Sequence, residues 1–249
     1  MKRPIIGVLA VSALVGLGAC GTSSPTTTTT SASAGAPSSA KPAAPTAGAT
    51  VAGTVIASRM VEALTKAGSG RATITSEGGS AAAASMNAKS EFSIGSDGQT
   101  STKATLSVAG VSMELISVGA MVYIKSPALK ASNGAPWVKI DPNGTDTISK
   151  SMGGQLKAAT DPRAQIEAYK GSTATFVAME GDLSHYSLTG LGGVTADSTK
   201  VDMWLDGQDR PAKTSVVTSG LTLMSTYTDY GAPITVTAPP ADQVGTYAG

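Results

Sequence analysis

Between Ala72 and Thr237 the chain alternates apolar and polar residues in about ten short runs. A period of two places successive side chains on opposite faces of a strand, so this pattern can bury one face of a sheet. Ala72, Ile74 and Ser76 alternate with Thr73, Thr75 and Glu77. Ala88, Ser90, Phe92 and Ile94 repeat the pattern, as do Thr102, Ala104, Leu106 and Val108. Val111, Met113 and Leu115 resume it, followed by 121–125 and 137–140. Further strands are expected at 173–180, 184–190, 199–205, 212–219, 221–228 and 232–237. Asp97-Gly98, Ala109-Gly110, Glu180-Gly181, Asp206-Gly207 and Tyr230-Gly231 supply turns between them.

Helical spacing appears in few places. Val55, Ile56, Met60, Ala63, Leu64 and Ala67 share one helical face, and Gly68 offers a stop. Residues 147–158 read as a weak helix that Gly153-Gly154 interrupts. Asp161-Pro162 is a better start, with Asp as N-cap and Pro in the first turn. Its helix would run to Lys170, before Gly171. Many strands joined by short turns, with a few helices, define an α+β class built on one large antiparallel sheet. A sheet this wide must curl, and helices laid on its concave face would enclose a space.

The N-terminus adds a compartment. Lys2 and Arg3 precede an uncharged stretch from Ile5 to Leu17. That is shorter than the roughly 20 apolar residues needed to span a bilayer, and it suits a signal-peptide core. Leu17-Gly18-Ala19-Cys20 then resembles the lipobox of bacterial lipoproteins, whose precursors are cleaved before a Cys that carries diacylglycerol. Residues 1–19 are therefore expected to be a leader, with Cys20 as the acylated anchor. Residues 21–50 are almost all Ser, Thr, Ala, Pro and Gly, a composition that buries too little to order itself and reads as a tether. The folded domain is expected over 51–249, on the outer face of a cell membrane.

Charge and chemistry narrow the function. Of the 18 Lys and Arg, Lys2 and Arg3 leave with the leader, so 16 basic residues face 17 acidic ones. That balance carries no footprint for nucleic acid. Cys20 is the sole cysteine, which excludes internal disulfides and Cys-based metal sites. His185 is the sole histidine; the alternation puts it on the polar side of its strand, where a solvated side chain is expected. No phosphate loop, dinucleotide fingerprint or nucleophile elbow occurs, so no catalytic residue, metal or cofactor is expected. Asp206-Gly207-Gln208-Asp209 and Asn143-Gly144-Thr145 read as turns. Trp137 and Trp204 are expected in the core or a cavity wall.

Several longer pieces carry a resemblance. They are 121–125, 137–140, Asp161-Pro162, 181–186, Val201-Asp202-Met203-Trp204-Leu205-Asp206, Arg210-Pro211-Ala212-Lys213 and Tyr227-Thr228-Asp229-Tyr230-Gly231-Ala232-Pro233-Ile234. Their order, behind an acylated Cys and its tether, resembles the LppX/LprG family of actinobacterial lipoproteins. The resemblance implies a half-open β-barrel like that of the LolA/LolB lipid carriers, and a cavity for an acylated lipid or glycolipid carried through the cell envelope. A membrane transporter would be a further partner. Alternation alone selects the lining: Leu106, Val108, Val111, Met113, Leu115, Val122 and Ile124. The same side chains would serve equally as plain core filling. A surface lipoprotein acting as an interaction or sensing module is the alternative function.

Overall fold

The structure, a computed structural model, describes residues 45–79, 86–191 and 199–248. The expected leader, Cys20 and the tether as far as residue 44 lie outside the described residues. The strands are β1 (Thr50–Ala52), β2 (Ser69–Gly78), β3 (Asn87–Ile94), β4 (Thr100–Val108), β5 (Val111–Val118), β6 (Met121–Lys125) and β7 (Trp137–Ile140). They continue with β8 (Thr173–Glu180), β9 (Leu183–Thr189), β10 (Lys200–Leu205), β11 (Pro211–Thr218), β12 (Leu221–Thr228) and β13 (Val244–Thr246). The helices are α1 (Gly53–Ala67), α2 (Thr147–Thr160) and α3 (Pro162–Glu167).

One 13-stranded sheet runs in the order β1-β8-β9-β10-β11-β12-β2-β3-β4-β5-β6-β7-β13. Its two ends, β1 and β13, do not pair, so it is an open sheet rather than a closed barrel. All neighbours are antiparallel except β13, which runs parallel to β7. The sheet also curls. β1 and β2 stand six strands apart, roughly 29 Å on a flat sheet, yet α1 joins them with 15 residues, about 22 Å of helix.

Ile56, Ala57, Met60 and Leu64 of α1 are fully buried against Ala174, Phe176, Tyr186, Leu188, Val201 and Met203. Val55, expected on that face, is exposed instead. Gly68 ends the helix with φ 74°, its N–H donating to the carbonyl of Leu64. A second, separate core lies under α2, where Ile148 and Leu156 pack on Val122, Ile124, Val138 and Ile140. Asp146 caps α2 by accepting from Ile148 N and Ser149 N. Asp161 caps α3 by accepting from Arg163 N.

The sequence reading needs several corrections. Gly153-Gly154 does not interrupt α2, which runs unbroken to Thr160. α3 ends at Glu167, and the chain continues to Ser172 in turns, with Tyr169 N donating to Ile166 O and Ser172 N to Tyr169 O. Residues 232–237 form no strand. β12 already has β11 on one side and β2 on the other, so the chain beyond it meets no free edge, and Pro233 has no N–H to offer. The chain instead crosses to the far edge and adds β13. The folded part also starts before residue 51: Gly48 N donates to Phe176 O and Phe176 N to Ala49 O, which places β1 on the β8 edge.

Candidate functional site

The register lines up inner-face residues in rows across the sheet. One row runs Ser225, Ile74, Ala88, Leu106, Met113 over β12, β2, β3, β4 and β5. The next runs Tyr227, Ala72, Ser90, Ala104, Leu115, Ile124, Val138. In these central strands half of the side chains are Ala or Ser, and all of the first row and Ser90, Ala104 and Leu115 of the second are only half-buried. α1 and α3 cover one flank of the sheet and α2 the other, each over its own core. Between them an open stretch of inner face runs over Ala88, Ser90 and Ala104, with Ile74, Leu106, Met113 and Leu115 beside them; the helices on either flank make this stretch a trough.

All seven residues singled out by alternation share this inner face, as the pairs Leu106–Met113, Val108–Val111 and Leu115–Ile124 show. They do not form one lining. Val122 and Ile124 are sealed in the core beneath α2, with Met113 and Leu115 packed partly against it. Leu106 and Val108 are half-buried on the open stretch, and Val111, 54 % exposed, stands at its mouth. The small floor residues were missed because alternation ranks side chains by polarity, whereas a trough needs absent bulk.

The covered flank leaves little space. Under α1 and α3, Met60, Leu64, Ile166, Tyr169, Thr214 and Tyr227 surround a cavity of about 10 Å³. Such a volume holds about one water. Burial pushes the phenols of Tyr169 and Tyr227 above their usual range, as expected of tyrosines that fill this seam. A cleft of about 550 Å³ also opens beside the loop 126–136, lined by Ser112, Glu114, Lys125 and Lys130 among others. Its β5 and β6 residues sit on the outer face, opposite the trough, and Lys125 is paired there with Glu114 at 2.8 Å.

The outer face overturns the expectation of a solvated His185. Its side chain is 14 % exposed and stacks on Trp204, with ring centroids 4.3 Å apart. Nε2 lies 3.3 Å from Asp202 Oδ1. Nδ1 lies 2.8 Å from Glu180 Oε1, at ion-pair distance but not aligned for a hydrogen bond. Trp204 Nε1 donates to Glu180 Oε2, and Lys213 Nζ sits 4.3 Å from the indole centroid on the same ring. Burial opposes the charge on Asp202, but hydrogen bonds from Lys200, Ser187 and His185 outweigh it and hold that carboxyl below its ordinary range. A depressed carboxyl contributes stability above its unfolded pKa and loses it as pH falls, so this cluster weakens on acidification. Trp137 and Trp204 are buried, as expected, but on the outer face of the sheet and not in a cavity wall; each has a lysine over its ring. His185→Ala is expected to lower stability by about 1–2 kcal/mol through lost stacking and packing, without touching the trough. A thermal melt unchanged from the parent would show that the stack contributes nothing.

Among the described residues no group of three or more His, Cys, Asp or Glu could hold a metal, and no helix is long and apolar enough to cross a membrane. Asp206 closes the expected turn, its Oδ1 accepting from Gln208 N and Arg210 N. Asp141 does the same for the Asn143 turn, accepting from Asn143 N.

No family model and no curated protein matches the chain. Solved structures do. LprF from Mycobacterium bovis is similar at 13% identity over 75% of this chain and 96% of that one, with a TM-score of 0.45. Mycobacterium tuberculosis lipoprotein LppX is similar at 12% identity over 74% and 98%, with a TM-score of 0.43. A LolA superfamily protein from Nitrosomonas europaea covers 72% of this chain and 92% of its own, at 11% identity and a TM-score of 0.28.

Proposed function

We propose that this chain is a lipid-anchored envelope lipoprotein that holds an acylated lipid or glycolipid in the trough and carries or presents it at the membrane surface. The observation that supports this most is the strip of half-buried apolar side chains between two separate cores, above a floor of Ala and Ser. A domain gains nothing by leaving such a strip wet. An acyl chain laid along it removes apolar surface on both partners, at about 25 cal/mol per Å². Because the covered flank is filled, the ligand's place is the open central stretch and not an enclosed chamber. Cys20 supplies the anchor, and the Ser/Thr/Pro tether lets the domain move between the bilayer and a transporter.

The reading is tested by native mass spectrometry of the exported Cys20→Ala chain, with co-purifying lipid expected as a discrete added mass. An empty domain would instead favour the strip as a protein-docking face. The same variant tests the anchor. Cys20→Ala is expected to move the protein from the membrane to the soluble fraction while its melting temperature stays as before, since residue 20 lies well before Gly48, where the described chain first bonds to the sheet. Unchanged membrane retention would refute the lipobox assignment.

A further inference from the structure

The two ends of the strands differ in charge. At one end lie the β3–β4, β8–β9 and β10–β11 turns and the turn after β12, which contain Asp97, Asp182, Asp206 and Asp229; of the described turns there, Gly119-Ala120 alone carries no charge. Ion pairs reinforce that end: Arg59–Asp209, Arg71–Asp229 and Arg163–Asp161. The opposite end carries charge only on its flanks, at Lys125 and Lys130 beside β6 and at Lys200 on β10, and not in its middle. Residues 104–113 and 214–228 contain no charged side chain, and they form the β4–β5 and β11–β12 hairpins.

Both hairpin tips are two-residue turns with positive φ at each position: Ala109 (50°) with Gly110 (80°), and Ser219 (48°) with Gly220 (78°). Asn-Gly or Asp-Gly is the usual choice for such a turn, because Asn and Asp tolerate the left-handed region. Here Ala and Ser accept the strain and no charged group projects. The end of β2 completes this edge, with Gly79 N donating to Gly220 O. The nearest charges on β2 and β3, Glu77 and Lys89, occupy outer-face positions, opposite the row of Ile74 and Ala88. Val111, the most exposed large apolar side chain among the described residues, sits on this rim, and Val108, Leu106 and Met113 lead from it into the trough.

We propose that this uncharged rim is the surface by which the domain rests on a lipid bilayer, with its hairpin tips at the depth of the interface. The proposal builds on the lipid-binding reading, because the rim is where the trough opens. A charged turn entering the interface would have to shed its hydration; an Ala-Gly or Ser-Gly tip does not. The contact takes its strength from apolar area and not from basic residues, so it needs no anionic lipid and is insensitive to salt. A flexible stretch of about 25 residues has a root-mean-square span of roughly 25–30 Å, enough for an anchored domain to turn this end toward the membrane.

The test uses the full lipid-anchored chain in vesicles of phosphatidylcholine. Cys20 is acylated there, so Val111→Cys, Ser219→Cys and, at the opposite end, Asp97→Cys each offer one thiol for an environment-sensitive dye. Both rim dyes are expected to shift to shorter wavelength and to be quenched by a spin-labelled lipid, equally in 0.1 and 1 M salt (screening lengths of about 10 and 3 Å). The Asp97→Cys dye is expected to report water. Quenching at Val111→Cys alone would mean that a lipid lies in the trough without the rim touching the bilayer, and would overturn the proposal while leaving lipid binding intact. Quenching of both rim dyes with no lipid found by native mass spectrometry would support the rim and defeat the lipid-binding reading. Silence at both rim positions, or a contact abolished by salt, would overturn the rim.

Discussion

Gly153→Ala is expected to destabilise the domain by about 3 kcal/mol or more, whereas Gly154→Ala, one residue on, is expected to stabilise it by about 0.5–1 kcal/mol. The opposite signs follow from position. A Cβ at Gly153 would lie 2.3 Å from the carbonyl oxygen of Pro142 and 2.9 Å from its carbon, and these are backbone atoms that cannot swing aside. Either α2 lifts from the turn after β7, pulling Ile148 and Leu156 off the second core, or that turn is displaced. At Gly154 nothing lies within 4 Å, so an added methyl meets open space and removes the backbone entropy that glycine brings to a helix interior. For a domain of this size 3 kcal/mol corresponds to a fall of roughly 6–12 °C in melting temperature. Thermal melts of both variants check the pair. Equal effects of the same sign would mean that the approach of Pro142 to α2 does not constrain the helix.

That pair also shows where the sequence was legible and where it was not. Two adjacent glycines read as a break because their cost is visible locally, but the carbonyl that makes one of them necessary belongs to Pro142, 11 positions away in the chain. Alternation located β6 and β7 at their observed limits and β12 likewise, since one buried face leaves a period of two in the residues themselves. β1 and β13 were not legible: each has three residues, too few for a period to appear, and they exist because β8 and β7 have free edges. His185 was misplaced for a related reason. Alternation correctly set it opposite Tyr186 and Leu188, yet facing away from the core did not mean facing water, because its cross-strand neighbour is Trp204. The seven residues chosen from pattern do lie on one face of the sheet. Its division into sealed core at Ile124 and open trough at Leu106 depends on where α2 stops, which no local pattern encodes.

That division fixes the strongest functional prediction. Val111 is too exposed for a larger side chain there to fill anything, and Met113 already leans on the second core, where added bulk would strain the packing. Ala104 is better placed. It lies mid-strand on the inner face, half-buried, between Ser90 and Leu115, with Leu106 two residues on. An indole in place of its methyl would occupy the trough that the small floor residues leave and cover the neighbouring apolar edges itself. Ala104→Trp is therefore expected to keep a cooperative melt within about 1 kcal/mol of the parent and to reduce co-purifying lipid by about tenfold or more, the loss expected if roughly 1.4 kcal/mol or more of contact is displaced. Aspartate separates trough from core in the same assay. Leu106→Asp is expected to fold and lose lipid, because a half-buried carboxylate remains hydrated. Ile124→Asp, at a position 1 % exposed, is expected to unfold the domain through an unpaired buried charge costing several kcal/mol (about 3–5). Native mass spectrometry with parallel melts decides the outcome: a folded Ala104→Trp domain that retains lipid at the parent's level would show that the central strip is not where lipid sits.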